Sequence, residues 1–210
     1  LLEGDAVNRS AGMFWMQQSG QNGYREAQFQ LGLAYSSGED LPRDSASAAR
    51  WFERAASQGH AAAQVNLATM YESGTGLTRD DARAAQWYRR AAEQNVAVAQ
   101  INLGSLFAQG RGVTRDDRAA QKWYKRAAQQ DVPEAHYNLG VLYENSPDLA
   151  DARESYFWYV VAAKSGHRKA GLRMVALREK IGETEAAEIE RRAVSWRPVK
   201  ARNTGKPDRK

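Results

Sequence analysis

AQVNLATMYESGTGLTRDDARAAQWYRRAAEQN, residues 63–95, holds two helical stripes separated by a turn. Ala63, Leu67, Met70 and Tyr71 recur at i, i+4, i+7 and i+8, which places them on one face of a helix. Ala84, Trp87, Tyr88 and Ala91 make a second such face, and the Gly-rich SGTGLTRD lies between the two. The stretch therefore reads as helix, turn, helix.

The same unit recurs in both directions. Segments opening at Ala27, Ala63, Ala99 and Ala135 are spaced by 36 residues, and a weaker copy opens at Ala170. Trp15, Trp51, Trp87 and Trp123 keep the same step, with Trp158 following 35 residues on. Seven residues before each Trp stands Asn8, Asp44, Asp80, Asp116 or Asp151, a side chain able to cap exposed helix N–H groups. Eight residues after each Trp stands Gly23, Gly59, Asn95, Asp131 or Gly166, the types that best tolerate a left-handed helix end. Gly32, Ala68, Gly104 and Gly140 share one mid-helix phase, which predicts close approach of a neighbouring helix. One such unit cannot bury its own apolar stripe, so neighbours must stack.

The repeat divides the chain into a partial unit at 1–23, full units at 24–59, 60–95, 96–131 and 132–166, and a degenerate capping unit at 167–199. Four complete helix pairs are expected, with a leading second helix near 8–22. A closing helix is expected near 184–196, opened by Thr184 and stopped at Arg197–Pro198. Its stripe of Ala186, Ile189, Ala193 and Trp196 should pack on the first helix of the fifth unit. Gly4 aligns with Gly76 and Gly112, so residue 1 falls inside a turn and a chain that begins within a repeat is expected. Residues 200–210 are basic and short of apolar side chains, which predicts a disordered tail.

Composition removes several chemistries. The chain has no cysteine, so disulfides, thiolate zinc sites and thiol catalysis are excluded. No run is long and apolar enough to span a bilayer. The net charge of +5 belongs to the C-terminus: residues 191–210 hold eight cations against Asp208, which leaves the preceding residues slightly acidic.

The pattern A-x-x-x-L-G-x-x-Y-x-x-G-x-G-V-x-x-D followed by A-x-x-W-Y-x-x-A-A-x-x-G resembles the Sel1-like repeats. The copy from Ala99, AQINLGSLFAQGRGVTRDDRAAQKWYKRAAQQD, fits nearly throughout. The resemblance covers roughly Gly4 to Trp196. It implies an all-α fold, a right-handed α-solenoid of Sel1-like, TPR-like helix–turn–helix repeats. It also implies an adaptor, scaffold or regulator, with the bacterial periplasm or cell envelope favoured and the cytoplasm as the other location. Two departures stand out. The fourth unit, ENSPDLADARESYFWY, lacks the Gly-x-Gly turn and is one residue short, and the disulfide staples of some relatives are impossible here.

Candidate catalytic groups reduce to structural ones. Asp80–Asp81 and Asp116–Asp117 follow Arg79 and Arg115 and open helices, where carboxylates favour the positive dipole end. His60, His136 and His167 show no metal-ligand spacing; the first and last take equivalent turn positions, and His136 replaces a recurring Gln. Gly74–Gly76 and Gly110–Gly112 lack the strand and Gly-Lys-Ser/Thr ending of a phosphate loop. Lys164–Ser165–Gly166 has no Ser-x-x-Lys partner. Neither catalytic residue, cofactor nor metal is expected.

By analogy with TPR geometry, the first helix of each unit lines a concave groove. The expected lining is the apolar row Phe29, Val65, Ile101 and Tyr137, the row Leu33, Thr69, Ser105 and Val141, and the amides Gln30, Asn66, Asn102 and Asn138. Apolar rows suit a protein partner, and an amide ladder can hold an extended peptide backbone. The competing reading is that rows and amides only pack between helices. A protein or peptide partner is thus expected, with no small-molecule substrate. The alternative is a nucleic-acid or anionic-surface binder acting through the basic tail, which the apolar row disfavours.

Overall fold

In the computed structural model the backbone is described for residues 2–198 and the side chains for residues 11–198. The basic tail 200–210 and the Asn8 side chain lie outside the described residues. Eleven α-helices and no strand occur among them: α1 (Leu2–Gln21), α2 (Arg25–Ser37), α3 (Ser45–Ser57), α4 (Ala61–Ser73), α5 (Asp81–Glu93), α6 (Ala97–Gln109), α7 (Asp117–Ala128), α8 (Pro133–Asn145), α9 (Ala152–Lys164), α10 (Arg168–Ile181) and α11 (Glu183–Ser195). The fold class is the all-α repeat solenoid. Contacts divide the chain into two compact units, residues 1–120 and 121–210, with the boundary inside α7.

The capping residues act at their expected places. Asp44 accepts from the amides of Ala46 and Ser47, Asp80 from Arg83, Asp116 from Ala119, and Asp151 from Arg153 and Glu154. Each capping Asp also donates its own amide back to the first helix, to Tyr35, Tyr71, Phe107 and Tyr143. That bond closes the linker as a fixed loop. The shorter fourth linker keeps it because Ser146 Oγ accepts from Asp148 and Leu149, turning the chain without Gly-x-Gly. All five stop residues have positive φ, including Asn95 at 65° and Asp131 at 57°.

In the unit of residues 1–120, α2 pairs with α3 and α4 with α5, and α3–α4 and α5–α6 join successive pairs. A Cβ at Gly32 would come within 2.5 Å of the Phe52 ring, which explains the small residue at this phase. The second linker glycine has another use. A Cβ at Gly112 would collide with the Asp81–Ala82 backbone, so this loop rests directly on the start of the preceding unit's second helix. Arg111 beside it reaches Glu72 at 2.9 Å and Asp81 at 3.0 Å. Arg79 adds a further 3.0 Å contact to Asp81, and these guanidinium hydrogen bonds hold its carboxyl down at about 2.

In the unit of residues 121–210, α8 packs on α9, α9 on α10, and α11 mainly on α9. Three expectations need correction. α1 runs through residue 8 because Leu2 stands where Gly38, Gly74 and Gly110 end the other helices. α11 starts at Glu183 with Gly182 as its cap (φ 86°, ψ 155°), so Thr184 sits inside the helix. Ala186, Ile189 and Ala193 are buried as expected, yet they face α9 more than α10.

The tryptophan anchors are unequal. Trp123 and Trp158 are buried, Trp51 and Trp87 are half-buried, and Trp15 is exposed. The deeper anchor is the next residue: Phe52, Tyr88, Tyr124 and Tyr159 are all almost fully buried. Trp51, Trp87 and Trp123 instead carry Arg54, Arg90 and Arg126 over their rings, at 4.5, 4.3 and 5.0 Å from the centroids. Trp87 therefore lies at the edge of the core.

Candidate peptide-binding surface

The side chains expected to line a groove sit on α2, α4 and α6 in the first unit and on α8 in the second. Most are half-buried. Their inner edges meet the second helix of their own pair: Phe29 lies 6.0 Å from Phe52, Tyr137 lies 5.5 Å from Tyr159, and Thr69 Oγ1 is 3.0 Å from the Tyr88 hydroxyl. Ile101 is buried, whereas Leu33 (38% exposed) and Thr69 reach solvent. Val65, Ser105 and Val141 are intermediate.

The amides differ in their surroundings. Gln30 donates to Glu26 at 3.1 Å on its own helix, and half-buried Asn102 acts on the Tyr88 phenol of the preceding pair, lowering its pKa slightly against the effect of burial. Asn66 and Asn138 are half-buried and make no side-chain hydrogen bond among the described residues. Burial pushes the Tyr88 phenol up to about 12, so it stays protonated and donates to Glu72 at 3.0 Å.

His60 and His167 occupy equivalent places and make equivalent contacts. His60 stacks on Phe29 with centroids 4.3 Å apart and meets Glu26 at 3.1 Å. His167 stacks on Tyr137 at 4.2 Å and meets Glu134 at 2.9 Å. Because His60 Nδ1 accepts the Ala63 amide, its Nε2 carries the proton and donates to Glu26. Hydrogen bonds from Gln30 and His60 lower the Glu26 carboxyl. Each brace fixes the start of one first-position helix against the preceding one.

A second ladder was missed from the sequence. Gln28, Gln64, Gln100 and His136 are buried, and each points a side-chain nitrogen at the carbonyl eight residues earlier, on Gly20, Ala56, Ala92 and Ala128. Gln58 and Gln94 extend it by donating to Gln28 and Gln64. The signal was present in the Gln or His following Ala27, Ala63, Ala99 and Ala135. These side chains serve the interior and are not available to a partner.

An open cleft of about 400 Å³ lies in the first unit, lined by Met13, Met16, Gln30, Leu33 and the acids Glu39 and Asp40. Gln30 and Leu33 were expected in the groove; the two methionines of α1 were not, since periodicity alone does not show which α1 side chains flank α2. Elsewhere Asp80 serves as a cap and Asp81 and Asp117 hold arginines. Among the described residues no group of three His, Cys, Asp or Glu is placed to hold a metal, and no helix is long and apolar enough to cross a membrane.

The family model described as Sel1 repeat matches residues 1–24, 25–60, 61–96, 97–132 and 133–167. Among solved structures, a protective antigen of uropathogenic Escherichia coli displaying an SLR fold is 28% identical, with a TM-score of 0.75. The match covers 87% of this chain and 40% of the antigen, so the chain spans less than half of that protein's length. A Sel1 repeat protein from Oxalobacter formigenes is 27% identical over 90% of this chain and 82% of its own, with a TM-score of 0.72. A search of curated proteins returned no match.

Proposed function

The chain belongs to the Sel1 repeat family, and from that membership we propose that it is a non-enzymatic scaffold that holds an extended protein segment along its first-position helices. Sel1 repeats generally mediate protein interactions, and proteins built from them are typically non-catalytic. The observation that carries the reading is the open cleft between α1 and α2. It brings an amide, Gln30, together with solvent-facing Leu33 and the adaptable thioethers of Met13 and Met16. Half-buried Asn66 and exposed Thr69 continue the polar positions on α4, and Asn66 has both donor and acceptor to offer a peptide backbone.

The test is affinity capture by the intact protein compared with a Leu33→Asp, Asn66→Ala variant, followed by mass spectrometry and direct binding of the captured partner. Both side chains are partly solvent-facing, so the variant should keep its helicity. Loss of the partner by tenfold or more in affinity supports the groove. Undiminished binding would move the interaction to another surface.

A further inference from the structure

In the closed pairs, the second helix packs along one strip of the first. On α4 the strip is Val65, Ala68, Thr69 and Glu72, with Ala68 buried and Thr69 at its exposed edge; on α8 it is Tyr137, Gly140, Val141 and Glu144, all buried or half-buried. An aromatic residue of the second helix lies across it and donates its hydroxyl to the terminal Glu: Tyr88 to Glu72 at 3.0 Å, Tyr159 to Glu144 at 2.6 Å. The register on α10 is kept as Leu172, Val175, Ala176 and Glu179, but all four are exposed, Leu172 by 79% and Val175 by 64%.

The cause lies in the connection. Seven residues, Gly38 to Asp44, separate α2 from α3, whereas Gly182 alone separates α10 from α11. A one-residue link does not return the chain along α10, so α11 buries its stripe on α9 instead. Val194, near the end of α11, is left 59% exposed. α10 is thus a first helix whose covering helix is not supplied by α11.

We propose that this strip of α10 is a docking site for an acidic amphipathic helix of a partner protein, seated where α5 and α9 sit on α4 and α8. The charge around the strip sets the sign. Lys169, Arg173 and Lys180 follow the strip on one side at helical spacing, and Lys169 and Lys180 have no ion pair among the described residues. Like charge disfavours the same face of a second copy, and equally residues 199–210, with five cations and one acid. Glu179, matching Glu72 and Glu144, is the acceptor for a tyrosine hydroxyl on the incoming helix. This site is separate from the α1–α2 cleft and does not depend on it.

The probe is a lactam-constrained helical peptide of residues 80–95, which carries Tyr88, with Arg89 and Arg90 replaced by Glu. Fluorescence anisotropy with the full chain should show saturable binding, weakened at least tenfold by Leu172→Glu with Val175→Glu. Lys169→Glu with Lys180→Glu should weaken it and reduce its salt dependence, while Leu33→Asp leaves it unchanged. Both α10 variants replace exposed side chains, and circular dichroism checks that they fold. Absence of binding, or equal binding to the wild type and the Leu172/Val175 variant, overturns the proposal. Sedimentation velocity supplies a further arm: self-association abolished by Leu172→Glu would make the occupant a second copy and overturn the partner-helix assignment.

Discussion

The ring of Tyr159 lies so near the backbone of Gly140 that a Cβ at residue 140 would stand 2.6 Å from its Cδ1. Two opposing effects meet at this position. Alanine gains up to ~1 kcal/mol of helix propensity over glycine, and overpacking costs ~1–3 kcal/mol. Tyr159 is fully buried and its hydroxyl is held by Glu144, so it cannot withdraw easily. Gly140→Ala should therefore lower the melting temperature. Gly171→Ala on α10, where a Cβ would meet nothing within 4 Å, should raise it slightly. Equal shifts of the same sign in thermal denaturation would contradict the packing account.

Tyr88 should matter more than Trp87. Tyr88 is almost wholly enclosed, while Trp87 keeps solvent on one side and an arginine over its ring. Tyr88→Ala is expected to cost ~3–5 kcal/mol, the usual range for a large buried aromatic. Trp87→Ala should cost clearly less, and denaturant titration of the two variants gives the order directly.

Acid should destabilise the fold in two stages. Burial lowers the His136 pKa below its ordinary 6.5, so the folded state disfavours the charged form. Its contribution is complete above 6.5 and is lost as pH falls toward the depressed folded value. Asp81, lowered to about 2 from 3.8, contributes above 3.8 and is lost between there and about 2. His136→Gln should flatten the first stage and Asp81→Asn the second in stability measured against pH.

Breaking the buried amide ladder should be costly for its size. Gln100→Leu leaves the Ala92 carbonyl without the side-chain donor that now sits 3.1 Å away. That carbonyl keeps the Asn95 amide at 3.0 Å, so the loss is one intramolecular hydrogen bond, ~0.5–1.5 kcal/mol. The same change at exposed Gln86 should be nearly silent in chemical denaturation.

Much of this was legible because the repeat writes each local signal several times. The Asp caps, the positive-φ stops and the small residues at Gly32 and Gly140 depend on one helix and its immediate neighbour, so phase alone located them. Depth of burial was harder. Trp and the residue after it share one stripe, and only the packed pair shows that Tyr88 points inward while Trp87 lies at the rim. The burial of Gln64 and Gln100 was not legible because their carbonyl partners are brought close only by the turn between helices. The placement of α11 depended on a single glycine linker, whose effect on direction a periodic stripe does not encode. The side chains expected to line a groove sit on α2, α4, α6 and α8, but a stripe could not say which of them share their surface with the second helix.

Within each of the two units, among the described residues, the substantial helix contacts join neighbours in sequence, apart from α9 with α11. Such a chain closes only short loops on its way to the native state, and loop closure is what slows folding in proteins of distant pairing. Each pair can form as soon as its own 36 residues are available. The chain should therefore gain structure progressively as it is synthesised, with Leu172 and Val175 of α10 as late apolar positions still open to solvent.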